Sequence, residues 1–166
     1  MIRDRKGQAA AWGFLAMLVF IAISAALVDL YRLYEARNWG YRMAQEAALA
    51  GASKSRDWGS ILSGGQIRLQ ESTARDEAVR LAQMELAARG ISIYQLDVRV
   101  LPETTGGTIS AFPPRPVRLG QQLGTWSSNE PAVGVYLSFP VEWLLLDRVG
   151  VVSKNVSAFA AAGVAH

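Results

Sequence analysis

The side chains that could do covalent or metal chemistry are few in this sequence, and their spacing gives them little to work with. There is no Cys, and the one His is His166 at the chain end. A thiol nucleophile, a disulfide framework and most metal sites are therefore unavailable, and a terminal imidazole sits where chains fray. No G-x-x-x-x-G-K-[ST], G-x-S-x-G, H-E-x-x-H or S-x-x-K run occurs, so a phosphate cradle, nucleophile elbow, zincin helix and Ser/Lys acyl transfer each lack their defining residues. The carboxylates Asp97, Glu142 and Asp147 fall at the outer faces or ends of predicted strands, where solvated surface is their expected role. The expectation is a non-catalytic protein with no cofactor, no metal and no small-molecule substrate. With 51% hydrophobic and 19% charged residues the chain is too apolar to be disordered. Its 17 basic and 14 acidic residues are scattered, with no patch suited to nucleic acid.

The elements that carry these residues start with an apolar helix. Between Lys6 and Asp29 no charge appears, and only Gln8 and Ser24 are polar. A helix crosses a hydrocarbon core of ~30 Å with about 20 residues, which Ala9 to Val28 supplies. Arg3, Arg5 and Lys6 against Asp4 leave residues 1–8 a basic leader, whereas Asp29, Arg32, Glu35 and Arg37 nearly balance beyond the span. The positive-inside bias then keeps the leader cytoplasmic and puts 29–166 outside. A cleaved secretory signal ending near Ser24 and Ala26 is the competing reading. The apolar region of such a signal is typically ~7–15 residues, shorter than this run, and nothing marks a helix end near Leu27.

From Leu30 onward the sequence stays helical, and Ala36, Gly40, Met43, Ala47 and Ala50 recur at alternating steps of four and three. That spacing traces one narrow face. Small residues there predict close packing of whatever lies against it. One helix from Ala9 to about Ala50 would form a rod of roughly 60 Å, half in lipid and half in water. Gly51 to Gln70, rich in Gly and Ser, reads as a connection. A second helix follows over Ala74 to Arg89, with Thr73 as its cap, Gly90 past its end and Glu85 paired to Arg89 at spacing i,i+4.

The period then switches to two. Tyr94, Leu96, Val98 and Val100 share one face of a half-buried strand, Val133 to Val141 alternate likewise, and a weaker third strand runs from Val151 to about Ala160. The fold class expected is α+β: a long N-terminal helix and a second helix packed on a small antiparallel sheet of about three strands. Residues 102–131 hold five of the six prolines and are too long for a hairpin turn. Phe112, Arg115, Arg118 and Trp126 in this loop are candidates to meet a partner, and a merely flexible loop is the alternative.

The order of several motifs carries a resemblance. Lys6-Gly7-Gln8-Ala9 precedes the span, Val28-Asp29-Leu30-Tyr31-Arg32 follows it, and Ala47-Ala48-Leu49-Ala50-Gly51-Ala52 closes the helix. Val135 to Val141 and Val156 to Ala160 form a closing strand pair. In this order they resemble the TadE/TadG-like pseudopilins of tight-adherence (Flp, type IVc) pilus systems. The resemblance implies a pilin-like fold, an inner-membrane location, and a structural role in pilus assembly. Its implied partners are the bilayer, other pilin-like subunits and the assembly machinery, with prepilin-type cleavage between Gly7 and Gln8. One departure is plain: pilin-type precursors carry a Glu five residues after that Gly, and here the position is Trp12. In pilins the Glu neutralises a neighbouring subunit's new N-terminal amine, a charge costly to bury alone. Its absence fits a component that stays in the membrane better than a major pilin. The reading from a different class is a single-pass anchored module that binds a protein ligand through loop 102–131.

Protease added to intact spheroplasts should remove everything beyond Asp29 and spare the leader. Protection of the domain with digestion of the leader would mean the opposite orientation.

Overall fold

The computed structural model describes residues 5–115, 117, 124–143 and 155–164. Over these residues the α+β expectation holds. With no proline before Pro102 and many alanines, nothing interrupts α1, which runs unbroken over Arg5–Lys54, 50 residues. At ~1.5 Å per residue it is about 75 Å long, one turn beyond the expected end at Ala50. Its most apolar 18-residue stretch has a mean hydropathy of 2.4 and none of it is buried. Trp12, Phe14 and Phe20 all stand clear of the rest of the chain. One helix near the N-terminus is therefore long and apolar enough to cross a membrane.

The Gly/Ser-rich connection contains a short helix, α2 (Trp58–Gly64), that buries no residue. Asp57 caps it, its carboxylate accepting from the Gly59 amide at 3.0 Å. The excursion is closed at its base, where the Asp57 amide donates to the Arg68 carbonyl and the Gln70 amide to the Ser55 carbonyl. That closure sets the start of α3 (Glu71–Ala88): Gln70, not Thr73, is the N-cap, and the Thr73 hydroxyl bonds the Gln70 side chain instead. The backbone pairing fixes the chain three residues before the expected cap can act. The far end behaves as expected, with Gly90 at φ 71°. The amides of Gly90 and Ile91 donate back to the carbonyls of Ala87 and Leu86, which satisfies two helix-end acceptors.

Five strands follow: β1 (Gln95–Leu101), β2 (Gly107–Ser110), β3 (Thr125–Ser128), β4 (Ala132–Pro140) and β5 (Asn155–Gly163). The main sheet is antiparallel in the order β1-β4-β5. The third strand runs on to Gly163, past the expected end near Ala160, and residues 151–154, where the sequence pattern starts it, lie outside the described part. Val98, Val100, Val133, Val135, Leu137 and Phe139 face α1 and α3 and form the main core with their alanines.

The other face of β4 departs from the half-buried expectation, because every residue from Ala132 to Phe139 is buried. The cover comes from the segment expected to be a long loop. β2 and β3 pair as an antiparallel ribbon, with Ile109 opposite Trp126, and fold back over the sheet. Leu101, Phe112, Trp126, Ala132 and Tyr136 make a second core there. The Phe112 ring lies edge-on to Trp126 at 5.7 Å and to Phe159 at 5.4 Å. Gly134 admits them, since a Cβ at that position would lie 2.9 Å from the Phe112 ring. The Tyr136 hydroxyl shares a hydrogen bond with Ser157 at 3.1 Å, and Ser157 donates to Ser138 at 3.2 Å, so these three hydroxyls are partnered.

Phe112→Ala should destabilise the domain by about 3–5 kcal/mol, as deletion of a buried ring does. Limited proteolysis with fragment mapping should find faster cleavage within 102–131 than in the wild type. An unchanged rate would mean that the ring cluster does not hold the ribbon down.

Candidate functional site

Beyond its apolar half, one face of α1 is the seat of α3, β4 and β5. Gly40, Met43 and Ala47 of the expected stripe are buried, Ala36 is half-buried, and Ala50 lies at the margin. Ala44, Ala48, Gly51 and Ala52 are buried as well, which the alternating four-and-three pattern did not single out. The face is wider than a single seam because two layers pack on it. β4 and β5 meet its lower part: a Cβ on Gly40 would lie 3.0 Å from the Phe139 ring and 3.4 Å from Ala158. The upper part meets α3, whose Ala74, Ala78, Ala82 and Leu86 are fully buried. There a Cβ on Gly51 would lie 2.7 Å from the Ala74 carbonyl oxygen and 3.2 Å from Ala78. A helix neighbour at that distance tolerates only Gly, and alanines elsewhere along the contact keep the axes close.

Polar contacts fasten the same pair of helices at both ends. At the top, Lys54 of α1 and Arg80 of α3 both reach Glu77, at 3.1 and 2.7 Å. Hydrogen bonds from Arg80 first, then Lys54, hold the Glu77 carboxyl below its ordinary range. The contribution of this cluster is therefore present at neutral pH and is lost as the pH falls through that lowered value. At the bottom, Arg89 does not close the expected pair with Glu85. It reaches Glu35 of α1 at 3.7 Å, and its guanidinium stacks 4.5 Å over the Trp39 ring. Trp39 itself meets Phe139 edge-on at 5.3 Å. Asp29, the first charge past the apolar segment, is fully buried, which its place in the sequence does not signal.

The candidate partner residues of loop 102–131 separate. Phe112 and Trp126 come together, but inside the second core, with 1% and 8% of their surface exposed. They hold the ribbon to the sheet and are not presented to a partner. Arg115 is exposed and Arg118 lies outside the described residues. Gly7 and Gln8 fall in the first turn of α1, where Gln8 is exposed, as is Trp12. Among the described residues no three His, Cys, Asp or Glu side chains gather to hold a metal. Asp97 pairs with Arg99 at 3.0 Å, Glu142 is exposed, and Asp147 is outside the described part. Comparison of the chain with family models, with curated proteins and with solved structures returns no match.

The close approach at Gly51 sets a test. Gly51→Ala should lower domain stability by roughly 1–3 kcal/mol, the range for overpacking a tight core. Gly13→Ala should leave it unchanged, because nothing lies within 4 Å of a Cβ there. Thermal melts of the two variants check the contrast; equal melting temperatures would place the tight helix contact elsewhere.

Proposed function

We propose that this protein is a membrane-anchored, pseudopilin-like structural component of a tight-adherence (Flp, type IVc) pilus system, non-catalytic, with its leader in the cytoplasm and its α+β domain outside. The observation that carries this reading is the unbroken α1, whose exposed apolar lower half continues into the core face of the domain. Such a molecule has two courses open to it. It can stay anchored, or it can leave the bilayer if other apolar helices rebury the ~20 residues that lipid covered. Its partners in this reading are the bilayer, pilin-like subunits and the assembly machinery. Trp12 at the position of the pilin Glu favours the anchored state, because no side chain there can neutralise a neighbour's terminal amine.

The burial of Phe112 and Trp126 weighs against the anchored ligand-binding module, which would need them at the surface. Mass spectrometry of the chain purified from membranes should find it starting at Met1. A start at Gln8 would mean pilin-type processing, and a start near Leu27 would make the apolar segment a signal and refute the anchor. Co-purification should recover pilus-machinery subunits. Their absence from gently solubilised membranes would overturn the pilus assignment while leaving the anchor intact.

A further inference from the structure

Two cavities, of 290 and 210 Å³, open on either side of the Arg89–Trp39 stack and share Glu35, Trp39 and Arg89. The first is completed by Arg32, Ala36 and Ile91 and by the chain from Phe139 at the end of β4 to Glu142 just beyond it. The second is completed by Tyr31, Tyr34, Asn38 and Arg42 of α1. Together they form one groove around the lower end of the domain, immediately above the apolar half of α1. Counting from Val28, the last residue of the apolar run, Arg32 stands ~6 Å and Trp39 ~16 Å along the helix. The headgroup layer on each side of the hydrocarbon is roughly 5–8 Å deep. Side chains on a helix lean toward its N-terminus, here toward the bilayer, and arginine stems reach further still. The lower edge of the groove, at Tyr31 and Arg32, thus lies at the level of lipid phosphates, and the Arg89 guanidinium, held against Glu35 at ~10 Å along the helix, stands just above it.

We propose that this groove binds the phosphate of an anionic phospholipid, with Arg32 and Arg89 as donors and with Tyr31 and Tyr34 against the glycerol and upper acyl region. The assignment rests on the reading that α1 spans a bilayer. Charge favours it: three arginines, Arg32, Arg42 and Arg89, stand against Glu35 and Glu142, and the surplus of one matches a phosphodiester's single negative charge. Guanidinium forks suit phosphate oxygens, and stacking on Trp39 holds the Arg89 plane in place. Glu35 orients Arg89 at 3.7 Å, a loose pairing that a phosphate can share. Tyr31 and Tyr34 are 66% and 65% exposed. An amphipathic ring at that depth has its lowest free energy between headgroup and chain. The surface is also continuous with the lipid-facing side of the span through Leu27 and Leu30, both exposed.

The test uses the full chain in nanodiscs of mixed phosphatidylcholine and phosphatidylglycerol, with native mass spectrometry counting the lipids retained on release. Phosphatidylglycerol should be retained preferentially. The preference should fall about tenfold in the Arg32→Gln/Arg89→Gln double variant, given ~1 kcal/mol per basic residue near an anionic surface and one arginine already paired. Arg75→Gln, on α3 away from the groove, should leave it unchanged. If the double variant does not fold by circular dichroism, Tyr31→Ala/Tyr34→Ala on the exposed helix surface should still reduce retention. Equal retention of both lipids, or a preference indifferent to the variants, overturns the proposal. Inorganic phosphate that raises the melting temperature in neutral detergent, where phosphatidylglycerol does not, would assign the groove to free phosphate and overturn the lipid. Recovery of the chain outside the nanodiscs would overturn the anchor itself, an outcome distinct from a nanodisc-bound chain without lipid preference.

Discussion

The contact of α1 with its own domain at Gly40, Ala47 and Gly51 is the constraint on which the remaining structure depends. Helix axes approach closely only where side chains are small, and the alanines of α3 answer those of α1. Apart from Met43 and Leu86, the fully buried apolar side chains of these two helices are alanines. The larger side chains come from the sheet, where Val133, Val135, Leu137 and Phe139 fill the space that the alanines leave. Close packing and bulk are thus divided between the two layers. The domain packs on a broad face of a long helix that is lined mostly by small residues.

The second layer solves a different difficulty. A three-stranded sheet with helices on one face leaves its central strand half covered, and β4 carries Tyr136 and Ala132 on that open side. The β2–β3 ribbon closes it with rings that meet edge to face around Gly134. A proline-rich segment is well suited to this task, since it needs few backbone donors along its path. The same burial removes from the surface the two aromatics that a ligand-binding loop would have displayed.

Much of this could be read from residue order, for physical reasons. Twenty uncharged residues have few alternatives to a helix in lipid, small residues at helical spacing mark a packed face, and alternation in Val133 to Phe139 marks a strand. What escaped the reading depended on distant chain. The ribbon was invisible because Ile109 and Trp126 lie on short strands without an alternating run, and their pairing is set across the intervening prolines. The start of α3 was misplaced because a bond between Gln70 and Ser55, not a side-chain cap, decides it. Arg89 looked like a partner for Glu85 within its helix, whereas the tertiary neighbours Trp39 and Glu35 claim it. The width of the α1 face was underestimated for the same reason: a periodic pattern shows that a face is covered, not by how many elements.

The sheet order also has a consequence for biosynthesis. Gly40 on α1 rests against Ala158 of β5, so an element made early finds its seat in one made more than a hundred residues later. During synthesis the small-residue face of α1 emerges from the ribosome long before β5 exists, and in the interval it offers exposed alanines and glycines to any helix nearby. Contacts this far apart in sequence form late and slowly, because a long loop must close before they yield any gain. The nascent chain therefore passes through a state in which the core face of α1 is open to neighbours. Any partner that holds α1 early acts in that interval, before the chain's own C-terminal strand arrives to displace it.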